Sequence, residues 1–101
     1  MIVVANQLVT ARAAEEFRQA SERILALIKK WAKDYRKNPS LKRALRLNSA
    51  IGWAEHIHHL CDCSCSNCWQ QGGRLLTVVA RLELGETPEV EATVCQVRVH
   101  P

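Results

Sequence analysis

The sequence predicts a small α+β domain, a three-stranded antiparallel sheet with two helices on one face, in the order β-α-α-β-β. Apolar residues recur at three- and four-residue steps through two long central segments, which is typical of amphipathic helices. Residues 1–9 and 74–99 are instead rich in β-branched and alternating apolar residues, which is typical of strands. With 101 residues, 48% apolar and 24% charged, the chain fits one globular domain, residues 1–101.

The first strand is predicted over residues 1–9, which begin MIVVA, and Thr10 suits the N-cap of a following helix. That helix is predicted over residues 11–36, with apolar residues on one face and cations on the opposite face. The apolar positions are Phe17, Ala20, Ile24, Leu27, Ile28, Trp31 and Tyr35.

Asn38 and Pro39 end the first helix, because proline disfavours helical backbone in the residue before it. A second helix is predicted over residues 41–60, with its apolar residues in two stripes that are rotated from each other. The change of stripe falls at Asn48 and Ser49, which indicates a bend or a restart there.

A Cys/His-rich loop is predicted between the second helix and a C-terminal hairpin, over residues 61–73. The hairpin strands are residues 74–84 and 90–99, joined by a turn at residues 85–88. The sheet face away from the helices would be apolar, and a homodimer would cover it.

The opening residues MIVVAN resemble the first strand of the antibiotic-biosynthesis-monooxygenase family of dimeric α+β barrels. The resemblance covers six of the 101 residues. That family has a β-α-β-β-α-β order, whereas here two helices follow each other, so we carry over no residue and no activity.

A cysteine cluster is the strongest chemical signal, since four of the five cysteines fall between residues 61 and 68. Thiolate and imidazole are the ligands that zinc prefers, and a CxxC spacing presents two sulfurs to one ion. The predicted metal ligands are Cys61, Cys63, Cys65, Cys68 and His59. Because all of them come from one continuous run, copper(I), an iron–sulfur cluster and a site shared across a dimer also stay open.

Two other states of these cysteines are open, namely two disulfides or a set of unligated thiols. We find no signal peptide and no apolar run of membrane-spanning length, so we expect a cytoplasmic protein with no membrane association. Thiols are reduced in that compartment, which favours metal binding over disulfides.

Positive charge is concentrated in residues 29–46, where eight basic residues and one acid give +7. The rest of the chain has six basic and nine acidic residues, or −3, and the two parts sum to the net +4. Such a local cluster favours contact with nucleic acid or with an acidic protein surface, and a merely solvated helix face is the alternative. The predicted contact residues are Lys29, Lys30, Lys33, Arg36, Lys37, Lys42 and Arg43.

These features together predict a metal-stabilised binding module, dimeric, whose basic helix face contacts an acidic partner such as nucleic acid. No catalytic motif is present in the sequence, so we expect a binding protein rather than an enzyme. One alternative is a metal- or thiol-handling protein, such as a sensor, chaperone or scavenger. Another is a small-ligand-binding dimer with a polar pocket at Glu55 and His56.

Overall fold

The computed structural model describes the backbone of residues 2–4, 7–62 and 66–90, and the side chains of residues 10–60 and 68–90. A two-stranded antiparallel hairpin comes first, with strands β1 (Ile2–Val4) and β2 (Gln7–Val9). The helices that follow are α1 (Ala11–Lys37), α2 (Leu41–Asp62), α3 (Ser66–Trp69) and α4 (Gly72–Glu83). No helix in these ranges is both long and apolar enough to cross a bilayer.

The prediction of an α+β fold with a three-stranded sheet is wrong, because residues 74–84, predicted as a strand, form most of α4. Buried side chains in α4 follow helical spacing, at Leu75, Val78, Val79 and Leu82. As a strand, this segment would place Leu75 and Val79 on one sheet face and Val78 and Leu82 on the other. The helix buries all four against one neighbour, so that a single apolar partner is enough.

The other predicted strands and the loop also change. Residues 1–9 were predicted as one strand, and within them β1 pairs with β2, with Ile2 opposite Val9. Residues 91–99, most of the last predicted strand, lie outside the described residues. In the predicted loop, residues 61–62 belong to the end of α2, and Ser66–Trp69 forms the short helix α3.

Helix α1 confirms the prediction made from its apolar spacing. The Thr10 side chain caps its first turn by accepting a hydrogen bond from the Ala13 amide at 3.1 Å. At the other end, the Asn38 amide donates to the Asp34 carbonyl at 3.0 Å. The core-facing residues of α1 are Phe17, Ala20, Ile24, Leu27 and Trp31.

Helix α1 is the central element, because α2 and α4 pack extensively against it and little against each other. One contiguous core results, to which α2 contributes Ala50, Trp53, Ile57 and Leu60. Helix α2 runs through Asn48 and Ser49 without an interruption, so the predicted restart does not occur.

The start of α4 lies directly against the backbone of α1. A Cβ atom added at Gly72 would lie 2.6 Å from the Phe17 amide nitrogen and 2.9 Å from the Ala13 carbonyl oxygen. Beside this contact, the rings of Phe17 and Trp69 stack with their centroids 5.0 Å apart. Only a residue without a side chain fits at position 72, so Gly72 fixes how closely the two helices approach.

After α4 the chain turns back along α2. Gly85 makes the turn at a φ of 90°, a backbone region that favours glycine. Farther on, the Pro88 carbonyl accepts hydrogen bonds from the Trp53 indole at 2.8 Å and from the Ser49 hydroxyl at 3.3 Å. These two bonds attach the segment at residues 84–90 to the middle of α2.

We expect Gly72→Ala to lower the free energy of unfolding by about 1–3 kcal/mol, because the new methyl group would push α4 away from the α1 backbone. The matched control is Gly73→Ala, whose Cβ would meet only the far end of the flexible Glu16 side chain. Since alanine favours helix over glycine, this control should be neutral or stabilising by up to about 1 kcal/mol. Urea unfolding of both variants measures the difference, and equal stabilities would refute the close helix contact.

We expect Trp53→Phe to cost about 1–3 kcal/mol of unfolding free energy, because it removes the indole donor to Pro88 and leaves a smaller ring in the core. Ser49→Ala removes the longer of the two bonds, and should cost less than about 1 kcal/mol because the indole still satisfies the carbonyl. Both changes are measured by urea unfolding. A larger loss for Ser49→Ala would show that the indole does not hold this segment.

Candidate functional site

The short connection between α1 and α2 brings the predicted cations of both helices together. Residues 38–40 join the helices, and the two run antiparallel, since Trp31 and Asp34 line one cavity with Arg43 and Arg46. The end of α1 and the start of α2 thus form one surface, here called the basic corner. Its members are Lys29, Lys30, Lys33, Arg36, Lys37, Lys42, Arg43 and Arg46.

The cations of the basic corner point away from the core. On α1 the lysines and arginine fall opposite the buried stripe, because a helix turns about 100° per residue. All five of them are exposed, and so is Lys42 at the start of α2. Arg43 and Arg46 are only partly exposed, since they lie on the side of α2 that approaches α1.

The cations of the basic corner differ from most other arginines in that they do not pair with carboxylates of the described chain. Four of the five described arginines elsewhere meet carboxylates, in the pairs Arg12–Glu16, Arg18–Glu15, Arg18–Glu22, Arg23–Glu83 and Arg81–Glu86. Arg18, for example, lowers the pKa of the Glu15 carboxyl to about 2 through its hydrogen bonds. Within the described ranges, no member of the basic corner pairs with a carboxylate. The described part of the protein therefore leaves its charge uncompensated.

Arg46 was not among the predicted contact residues, although it is the most unusual member of the corner. It continues the buried stripe of α2, four residues before Ala50, where an apolar residue would be expected. Its Nε atom is buried and has no hydrogen-bond partner among the described residues. The sequence signal that could have found it is a charged residue in the register of an apolar stripe.

The predicted metal ligands are only partly described. Cys61 lies in the last turn of α2, and Cys63 and Cys65 lie outside the described residues. Cys68 is 2% exposed in the core, whereas His59 is exposed to solvent. Among the described residues no group of three or more His, Cys, Asp or Glu side chains could hold a metal ion. Zinc binding, and the copper(I) and iron–sulfur alternatives, stay predictions.

The predicted polar pocket at Glu55 and His56 also stays a prediction. Glu55 is exposed, and the half-buried His56 ring packs edge-on against Trp53 with the centroids 5.4 Å apart. Burial lowers the pKa of His56, and the positive charges of His59 and Arg74 lower it further. Neighbouring residues on a helix point about 100° apart, so these two side chains diverge.

An apolar groove lies on the other side of α2. It has a volume of about 220 Å³ and lies between α1 and α2. Its lining is Ser21, Ile24, Leu25, Ala54, Ile57 and His58. Its volume lies below the roughly 300–1,000 Å³ of typical small-ligand pockets, and Ser21 and His58 are the polar residues of its lining.

The zinc prediction is tested by elemental mass spectrometry on protein purified without chelator, which should show about one zinc per chain. We expect the double variant Cys63→Ser/Cys65→Ser to lose this zinc and to unfold at a lower temperature, because metal binding energy becomes folding energy. Val79→Ala is the control for core packing, since loss of this buried side chain destabilises the protein but should leave the zinc content unchanged. Absence of zinc, or its retention in the double variant, would contradict the prediction.

Comparison of the chain with protein-family models, with curated proteins and with solved structures finds no match.

Proposed function

We propose that this chain is a nucleic-acid-binding module whose contact surface is the basic corner. The observation that carries the proposal is the contrast in ion pairing along the described chain. Arginines outside the corner, such as Arg18 and Arg23, are neutralised by carboxylates, whereas the corner presents its cations to solvent. A polyanion can supply the missing counter-charges, and phosphate neutralisation with release of counterions dominates nucleic-acid affinity.

The distribution of lysine supports a phosphate-rich partner. All five lysines of the chain lie between residues 29 and 42, within the basic corner. An ordinary solvated surface would mix lysines with carboxylates, which lowers the local field and supports helices through ion pairs. Here Asp34 is the one acid among residues 29–46, so the field of the corner stays positive.

The size of the corner suits contact with several phosphates at once. The α1 cations extend from Lys29 to Lys37, which at 1.5 Å of rise per residue is about 12 Å along the helix axis. Lys42 and Arg43 widen the surface beside the end of α1. Because the side chains are long and flexible, they can follow a phosphate backbone of irregular shape.

We propose that binding depends on the backbone and little on base sequence. Trp31, which could offer a stacking platform, is buried at 9% exposure, and Tyr35 is partly buried. Base-specific contacts require side chains that reach base edges or stack on bases. The corner instead offers lysines and arginines, which position a nucleic acid through its phosphates.

The triple variant Lys30→Gln/Lys33→Gln/Lys37→Gln should bind nucleic acid at least about tenfold more weakly near physiological salt, because three phosphate contacts are lost. The dependence of log K on log salt should also become shallower, by about 2–3 in slope. Fluorescence anisotropy with labelled double-stranded DNA and single-stranded RNA, at several salt concentrations, measures both quantities.

The control is Arg12→Gln/Arg18→Gln/Arg81→Gln, which lowers the net charge from +4 by the same three units. Its arginines are paired with carboxylates in the protein, so binding should fall much less. Equal losses in the two variants would show that only net charge matters. Binding of an acidic polypeptide but of neither nucleic acid would overturn the proposal in favour of an acidic protein partner.

A further inference from the structure

We infer that Arg46 and Arg43 form a fixed seat for one phosphate group, in a notch between the end of α1 and the start of α2. Trp31 and Asp34 complete the lining of this notch. The inference rests on the proposed function, in that a nucleic-acid backbone is the proposed source of the phosphate. It adds one position of defined geometry to a surface made otherwise of flexible, exposed side chains.

Burial without a partner is the first argument. The Arg46 Nε atom is shielded from solvent and has no hydrogen-bond partner in the described part of the protein. Arg46 as a whole is partly exposed, so the cost falls on this one buried donor, which lacks an acceptor among the described residues. An anion held by its remaining N–H groups would compensate that cost, as a paired charge is far cheaper to bury than an unpaired one.

The second argument is that the groups around the notch limit how far its arginines can move. Gly85 lies near the Arg46 guanidinium, since a Cβ atom added at Gly85 would be 3.3 Å from Nη2 and 3.4 Å from Cζ. Arg43 is tethered too, because its amide and its Nη1 atom lie 3.1 and 3.4 Å from the Ser40 hydroxyl oxygen. Groups ordered before the ligand arrives lose less entropy when it binds.

The third argument concerns charge. Asp34 lines the same notch, yet it forms no ion pair with Arg43 or Arg46 among the described contacts. Two guanidinium groups and one carboxylate leave the notch with one net positive charge. A phosphodiester carries one negative charge, and its non-bridging oxygens accept the forked N–H donors that arginine offers.

The size of the notch defines how the phosphate would sit. Its volume of about 30 Å³ is small beside the roughly 300–1,000 Å³ of pockets that hold whole small molecules, so it suits part of a phosphate group rather than a base. The remaining phosphate oxygens would stay at the mouth of the notch. The strand could then continue on either side across the exposed cations of the basic corner.

The experiment is thermal unfolding with inorganic phosphate, against sodium chloride of the same ionic strength. When phosphate is about tenfold above its dissociation constant, linkage predicts a rise in Tm of about 5–10 °C for the wild-type chain. Arg46→Lys should lose this rise, because it keeps the charge but removes the forked donors. The control Arg12→Lys, at an exposed position far along α1, should keep it.

A second variant, Arg46→Met, distinguishes a role of Arg46 in phosphate binding from a role in stabilising the fold. In chloride alone, Arg46→Met should unfold at the same or a higher temperature than wild type, because it replaces an unpaired, partly buried charge with an apolar side chain. Its response to phosphate should be absent. A clear loss of Tm in chloride would overturn the inference, since Arg46 would then be a structural residue.

Nucleic-acid binding of the same variants distinguishes the two proposals. No rise in Tm with phosphate, together with wild-type nucleic-acid affinity in Arg46→Lys, overturns the seat and leaves the basic corner as the contact surface. A rise that depends on Arg46, without any nucleic-acid binding, supports the seat and assigns it to a free phosphate compound. A rise that persists in Arg46→Lys would show general electrostatics, because this change keeps the charge, and would overturn the seat.

Discussion

Burial of the apolar stripe on α1 is the constraint on which the other features of this structure depend. The stripe from Phe17 to Trp31 is too wide for one partner, and α2 and α4 cover it from two sides. Because the core-facing side of α1 is completely used, its cations must lie on the opposite side. The exposed position of Lys29, Lys33 and Lys37 is therefore a consequence of core formation.

The connection between α1 and α2 converts a basic helix face into a basic corner. The connection at residues 38–40 is only three residues long, so α2 must begin beside the last turns of α1. The Ser40 hydroxyl accepts a hydrogen bond from the Arg43 amide. This satisfies one of the backbone N–H groups that have no partner within the helix at its start. The same turn that starts α2 thus also sets Arg43 next to the notch, which couples local helix capping to the geometry of the proposed site.

The sequence predicted a segment correctly where its apolar residues fitted either helical spacing or strand alternation, but not both. Helix α1 was predictable because its apolar residues fit the helical period alone, with Thr10 as its cap. In residues 74–84 the apolar residues fit both strand alternation and helical spacing. What decides between them is tertiary, namely the burial of one side of α4 against α1, and two adjacent glycines suggest a loop when seen in sequence alone. The basic residues were predictable as a charge cluster, whereas their lack of carboxylate partners among the described residues could be seen only in the structure.

Arg46 shows why the most informative residue of the corner could not be recognised by charge alone. By charge it is one of eight cations, and its distinction is its register on the buried stripe of α2. A leucine there would extend the core towards Trp31 and avoid the cost of a buried Nε atom that has no partner in the described part of the chain. The core that begins four residues later at Ala50, with Trp53 and Ile57, supplies enough burial for the fold to carry that cost. A cation in this position weakens the fold unless an anion accompanies it, and this is the physical reason why the proposed phosphate seat is centred on Arg46.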